Sequence, residues 1–279
     1  MQQTQKTGIL QMAVCATLWS TAGVFIKLIP WHPLVIGSLR SAIAGAVLWC
    51  FLRHAGCLRP IVNAATLKTG VLLGCTMTLF VLANKLTTAA NAIVLQSANP
   101  IFVLLFCSIW YHQRCSRRDL TVVGIVLLGV TLFFLDGLSL SGTIGNLLAL
   151  CTAVLLAGAF LCASGADSLF ETMSGVFLGH LVAALLGLPF LFLEPPVLST
   201  TSVLSILFLG IFQLGIPYVL FSYAARVCQP LAISLIGMLE PIFSPVWVAL
   251  FVHEIPGPLA LFGGVLVIVT LSVWCVLNA

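Results

Sequence analysis

The chain has 279 residues, of which 61% are hydrophobic and 6% charged, with a mean hydropathy of +1.21. A soluble domain carries roughly 25% charged residues, so a soluble enzyme and a nucleic-acid-binding domain are both excluded. The formal charge of +4 arises from basic residues in short stretches between apolar runs, without interleaved aromatics, and this is a topology signal rather than a nucleic-acid surface.

The apolar runs are about 20 residues each, enough to cross a bilayer, and predict an all-α polytopic membrane protein of about ten transmembrane helices. The first, roughly 8–28, follows Lys6 and is too long, with too many runs after it, for a cleaved leader. Ile29-Pro30-Trp31-His32-Pro33 ends it, and a second run covers roughly 33–52. Beyond the basic segment Arg53 to Arg59, runs at roughly 68–85 and 89–111 divide at Lys85. Arg114 to Arg118 precedes a run at roughly 119–135, closed by Asp136-Gly137. The later runs lie roughly at 143–163, 172–193, 201–225, 230–251 and 257–277. They are punctuated by Glu194-Pro195-Pro196, Arg226 and Pro256-Gly257-Pro258. Trp31, Trp110 and Trp274, near the predicted ends, are expected in the interfacial aromatic belt.

The count of Lys and Arg in short loops places Lys6, Arg53, Arg59, Lys68, Arg114, Arg117, Arg118 and Arg226 inside, and Lys27 and Lys85 outside. Both termini are then cytoplasmic, which requires an even number of spans. The expected location is the cytoplasmic (inner) membrane of a bacterium. Cys15, Cys50, Cys75, Cys107, Cys151, Cys162 and Cys275 lie in apolar runs without C-x-x-C spacing and are expected to be core hydrophobes. Cys57, Cys115 and Cys228 fall on the reducing side. Neither a metal site nor a cofactor is predicted.

An internal repeat organises the chain. Asn99-Pro100-Ile101-Phe102 aligns with Glu240-Pro241-Ile242-Phe243, and the same register puts His112-Gln113 on His253-Glu254 and Lys85 on Arg226. A nearly identical offset sets Leu39-Arg40 against Gly179-His180, and Gly74 meets Gly210 after a small gap. The halves are residues 1–139 and 140–279, with about five spans each. An odd number of spans inverts the second half relative to the first, an architecture that serves alternating access around a midplane site. Gene duplication in a membrane protein that does not transport is the plain alternative.

Leu18-Trp19-Ser20, Leu39-Arg40, Ala83 to Ala92, and Leu239-Glu240-Pro241-Ile242-Phe243 followed by His253-Glu254 stand in the order and spacing of a known motif set. Over essentially its whole length the sequence resembles the drug/metabolite transporter superfamily, EamA type. That resemblance implies a carrier of about ten helices with cytoplasmic termini, of a kind in which many members export amino acids, amines or other metabolites.

Several residues are candidates for substrate contact. Glu240 sits mid-span, where a carboxylate costs roughly 2.5–3.5 kcal/mol to insert, so it needs a partner, a proton or a water-filled cavity. It is the first candidate for proton coupling or for binding a cationic amine, and its alternative role is to support the break at Pro241. Arg40 must meet a carboxylate, backbone carbonyls or an anionic substrate group, or else snorkel to the outer face. His180, at the equivalent place in the second half, is a second coupling candidate or a packed histidine. Gln96 and Asn99 share one helix face beside Pro100, and Gln213 with Tyr218 forms a similar notch beside Pro217. Each notch is either part of a binding site or interhelical glue. Trp19 and Phe243 complete the set as apolar or cation-stacking walls. Charges of both signs suit a zwitterion such as an amino acid. Gly37, Ser41 and Gly45 on helix 2, and Gly175, Gly179, Ala183 and Gly187 on helix 7, are expected sliding or dimer surfaces.

P-loop, H-E-x-x-H, G-x-S-x-G and Rossmann patterns do not occur. The prediction is therefore a secondary transporter of small metabolites, an exporter, acting as monomer or homodimer in the lipid bilayer with protons or another ion as coupling partner. It has no nucleic-acid partner. The competing readings are a non-transporting scaffold or regulatory subunit and an intramembrane enzyme.

Overall fold

The computed structural model describes residues 2–87, 89–110, 112, 116–135, 138, 142–252 and 257–278, and among these every regular element is helical. Asp136-Gly137, Gln113, Arg114, Cys115, His253-Glu254 and Pro256, singled out above, lie outside the described residues. The elements are α1 (Gln2–Trp19), α2 (Ala22–Lys27), α3 (Pro33–His54), α4 (Ala64–Leu86), α5 (Ala89–Gln96), α6 (Asn99–Trp110) and α7 (Arg117–Phe133). They continue with α8 (Thr143–Ser164), α9 (Leu169–Leu193), α10 (Thr200–Phe208), a π-helical turn (Leu209–Gly215), α11 (Ile216–Val227), α12 (Pro230–Gly237), α13 (Leu239–Val252) and α14 (Pro258–Asn278).

Short polar side chains start these helices by accepting from the otherwise unpaired N–H groups of the first turn. Asn63 forms a capping box with Thr66, and Ser116, Ser168 and Ser199 cap α7, α9 and α10. His32 Nδ1 accepts from Leu34 N–H, with Pro33 in the first turn where its missing N–H costs nothing.

Among the described residues, seven segments are long and apolar enough to cross a membrane: 33–54, 64–84, 91–110, 143–164, 169–193, 200–227 and 258–277. The remaining apolar runs are helical but shorter or more polar. Three runs that read as single spans are each two helices. The first breaks at Ser20-Thr21, whose hydroxyls donate to Thr17 O at 2.6 Å and Leu18 O at 2.7 Å. The others break between α5 and α6, and between α12 and α13, each just before a proline, Pro100 and Pro241. A proline cannot donate to the carbonyl four residues back. In the first half Asn99 Nδ2 reaches that carbonyl, Gln96 O, at 3.4 Å.

The core gathers Met12, Leu48, Leu73, Met173, Phe221, Leu235 and Ile242, while leucines, valines and phenylalanines such as Leu185, Phe192 and Val265 are exposed, as a lipid-facing surface requires. Packing partners recur in matched pairs. α4 lies on α8 and α9, while α11 lies on α1 and the π turn on α3. α3 meets α9, and α7 meets α14. The glycines of α9 serve these internal contacts: a Cβ at Gly175 or Gly179 would press on Thr69 or Leu73 of α4, and one at Gly187 would stand 2.5 Å from Leu34 O of α3. Two of the expected belt tryptophans also turn inward. Trp31 Nε1–H donates to Val197 O at 2.8 Å and Trp274 Nε1–H to Asp119 Oδ1 at 3.4 Å, whereas Trp110 is exposed. A buried indole must place its N–H on an acceptor, and both find one across a helix boundary.

Candidate functional site

The interruptions in the helices deliver polar side chains to one place. Trp19 ends α1, Arg40 projects from the first half of α3, and His180 from the middle of α9. Gln213 lies in the π-helical turn, Tyr218 follows in α11, and Glu240 opens α13. A π turn widens the helix locally and is frequent at functional positions. Here it packs on α3 so closely that a Cβ at Gly210 would stand 3.2 Å from Arg40 O.

Tyr218 is the centre of the cluster. Its ring is 5.1 Å from that of Trp19 and 4.7 Å from that of His180, the latter edge-on. Gln213 Nε2–H donates to Trp19 O at 3.3 Å, tying the π turn to the broken end of α1. Arg40 and Glu240 feel each other's charge, and Arg40 also faces His180 and Tyr218, but no hydrogen bond joins Arg40 to Glu240. The two charges are therefore neighbours without being a pair. A cleft lined by Gly37, Ser38, Ser41, Met77 and Thr78 leads to Arg40.

Of the residues predicted for substrate contact, Trp19, Arg40, His180, Gln213, Tyr218 and Glu240 are thus brought together. Phe243 is partly buried one turn further along α13. Gln96 and Asn99 are placed elsewhere, in a polar seam between helices: Gln96 Nε2–H donates to Thr152 Oγ1 at 3.1 Å, and Ser234 Oγ–H donates to Asn99 Oδ1. Three further members were not singled out from the sequence. Cys15 is fully buried, within electrostatic reach of Glu240 and Tyr218. Phe221 stands 5.8 Å from Tyr218 and 6.3 Å from Trp19, and Phe160 stacks behind it at 5.4 Å. Cys15 and Phe221 follow the helical period from Trp19 and Tyr218, a signal present in the sequence. Among the described residues no three His, Cys, Asp or Glu side chains gather as a metal site.

A second polar junction lies at the end of the molecule carrying Arg53 and Arg59. The Glu171 carboxylate accepts from Asn63 Nδ2–H through Oε1 and from Asp167 N–H through Oε2, the latter at 2.6 Å. Ile61 N–H donates to Ser174 Oγ at 2.9 Å, and Arg226 donates to the carbonyls of Ala166 and Asp167. Asn63 both caps α4 and grips α9. These bonds clasp the two parts of the chain together.

The sequence profile of the EamA-like transporter family matches residues 6–135 and again residues 143–275. The chain belongs to the EamA-like transporter family. It is thus a multi-pass membrane protein of a family of transporters and not of enzymes, within the drug/metabolite transporters. Two curated EamA relatives, the pseudopaline exporters CntI of Pseudomonas aeruginosa strains UCBPP-PA14 and PAO1, are each 25% identical over 274 residues, 95% of this chain and 94% of theirs. A crystal structure of another protein superposes on 98% of this chain and 97% of its own length with a TM-score of 0.84 at 19% identity, which shows a shared fold.

Proposed function

We propose that this EamA chain exports small polar or amphipathic metabolites, amino acids, amines or related compounds, across the bacterial cytoplasmic membrane. It works by alternating access between two inverted halves, residues 1–139 and 140–279, each contributing about five spans, with both termini in the cytoplasm. The observation that carries this reading is the cluster of Arg40, His180, Gln213, Tyr218 and Glu240, drawn from both halves, in which Gln213, Tyr218 and Glu240 stand at or beside helix interruptions. Charged and polar groups are costly within a membrane and mark a transport pathway when they converge. Export is favoured by the two pseudopaline exporters that align over nearly the whole chain.

In this mechanism cargo enters from the cytoplasm and contacts Arg40 and Glu240 between the halves. The helix segments on one side of the cluster then close as those on the other open. Glu240 exchanges a proton with the aqueous side it faces or holds the cationic group of the cargo, and His180 is the second candidate for coupling. Either role ties transport to a gradient without ATP.

The test compares solutes accumulating in the medium of cells producing wild type or Glu240→Gln at equal membrane levels. Enrichment of particular solutes by wild type and its loss in the variant is the expected result. Equal enrichment by both removes Glu240 from the mechanism, and no enrichment by wild type overturns export.

A further inference from the structure

Buried polar atoms without a hydrogen-bond partner are concentrated in one place. Apart from Ser164 Oγ, those among the described residues are Trp19 Nε1, Arg40 Nε, both ring nitrogens of His180, and Gln213 Oε1. These residues come from four separate segments, yet they lie near Tyr218: the Trp19 and His180 rings pack on it at 5.1 and 4.7 Å, Arg40 is within electrostatic reach of it, and Gln213 is bonded to Trp19 O. His180 is fully buried, Gln213 is 4% exposed and Trp19 7%. Each such atom costs roughly 1–3 kcal/mol when left unpaired, and native interiors leave few of them. Four neighbouring residues left in this condition are complementary to something that is not part of the chain.

The chemistry of that ligand follows from the imbalance between donors and acceptors. Arg40 Nε–H and Trp19 Nε1–H can only donate, and an imidazole offers an N–H in either neutral tautomer. Gln213 Oε1 and the second imidazole nitrogen accept, so donors still outnumber acceptors and one of them belongs to a permanent cation. The missing group must therefore accept several hydrogen bonds beside a permanent cation. A planar carboxylate meets that demand, since its oxygens match the directional donors of a guanidinium. The absence of a bond between Arg40 and Glu240 completes the picture, because an arginine already spent on a glutamate has nothing left to offer a ligand.

We infer that Arg40, Trp19 and His180 form a carboxylate subsite, and that the exported solute docks a carboxylate there. The inference rests on the exporter reading and refines it. Tyr218 and Phe221, with Phe160 behind, wall the subsite, so the part of the solute next to its carboxylate is flat or apolar. Glu240, across the cluster, takes a cationic or hydrogen-bond-donating group where the solute has one.

The experiment identifies the solutes that wild type enriches in the medium, then measures their uptake into inside-out membrane vesicles. Every enriched solute is expected to carry a free carboxylate, and its methyl ester fails to compete for uptake. Arg40→Gln abolishes uptake. Trp19→Phe keeps the ring and removes only the N–H, so it raises the half-saturating concentration about tenfold with little change in maximal rate. That variant serves as the independent check if Arg40→Gln does not reach the membrane. Enriched solutes that are amines without a carboxylate, or that carry phosphate instead, overturn the subsite while leaving export intact. Competition by the methyl ester equal to that of the free acid also overturns it, as does an unaltered half-saturating concentration in Trp19→Phe. If wild type enriches nothing, the exporter reading itself fails, and this inference fails with it.

Discussion

Replacement of Glu171 by Gln tests whether the clasp at the Arg53 end controls opening of that end. Gln keeps an oxygen for Asn63 Nδ2–H, but its amide group replaces the oxygen that accepts Asp167 N–H at 2.6 Å, setting donor against donor. A hydrogen bond to a charged group contributes roughly 1.5–3 kcal/mol. The low end applies here, since the junction lies toward water, which screens it. A loss of about 1.5 kcal/mol raises the open population on the order of tenfold. The reporter is Val176→Cys in a cysteine-free background, because Val176 sits one turn beyond the clasp and is fully buried in this structure. Labelling by a membrane-impermeant maleimide, applied from the cytoplasmic face of inside-out vesicles, should be about tenfold faster in Glu171→Gln. If the rate is unchanged while the variant folds and reaches the membrane normally, the clasp does not gate that end.

Asn63→Asp retains the oxygen that caps α4 but sets a second carboxylate against Glu171, so labelling of Val176→Cys rises while the helix content by circular dichroism stays the same. Trp31→Phe removes the bond to Val197 O at the opposite end. It should speed labelling of Ile36→Cys, 4% exposed, from the outer face and leave Val176→Cys unaffected. Gly74→Val places a Cβ 2.6 Å from the Val182 side chain and 2.8 Å from Gly179 O. Overpacking of this kind costs about 1–3 kcal/mol, read as a lower unfolding temperature in detergent, whereas Gly37→Ala, inside α3 with nothing within 4 Å, does not lower that temperature and raises it slightly through better helix propensity.

The apolar runs and the repeat register were legible because lipid forces long hydrophobic helices and because Pro100 and Pro241 are landmarks that survive divergence. The same register places both helix breaks, since Asn99 and Glu240 each stand at the start of the second segment. The π turn was not legible. It falls inside an unbroken apolar run, and no residue type announces a backbone that widens to admit an extra residue. The site was half legible. Cost in lipid singled out Arg40, His180 and Glu240, which the fold gathers, and equally singled out Gln96 and Asn99, which it satisfies within helix seams. Whether a polar group is paired depends on neighbours distant in sequence, such as Thr152 and Ser234, and no local pattern encodes them. Glu171 went unnoticed because it sits at a helix start, where an acid is ordinary.

The breaks between α5 and α6 and between α12 and α13 divide two of the helices into segments of unequal length. The first piece of each has 8 residues, against 12 and 14 in the second. An unbroken helix is a stiff rod, so tilting one end moves the other. A rod jointed near its middle behaves as two levers on a common pivot, and either arm can swing while its partner stays in place. With a joint at the same register in each repeat, one mouth can open without dragging the central floor along. In the alternating-access cycle proposed above, the solute would then rest on a stationary platform while the walls above and below it take turns to move.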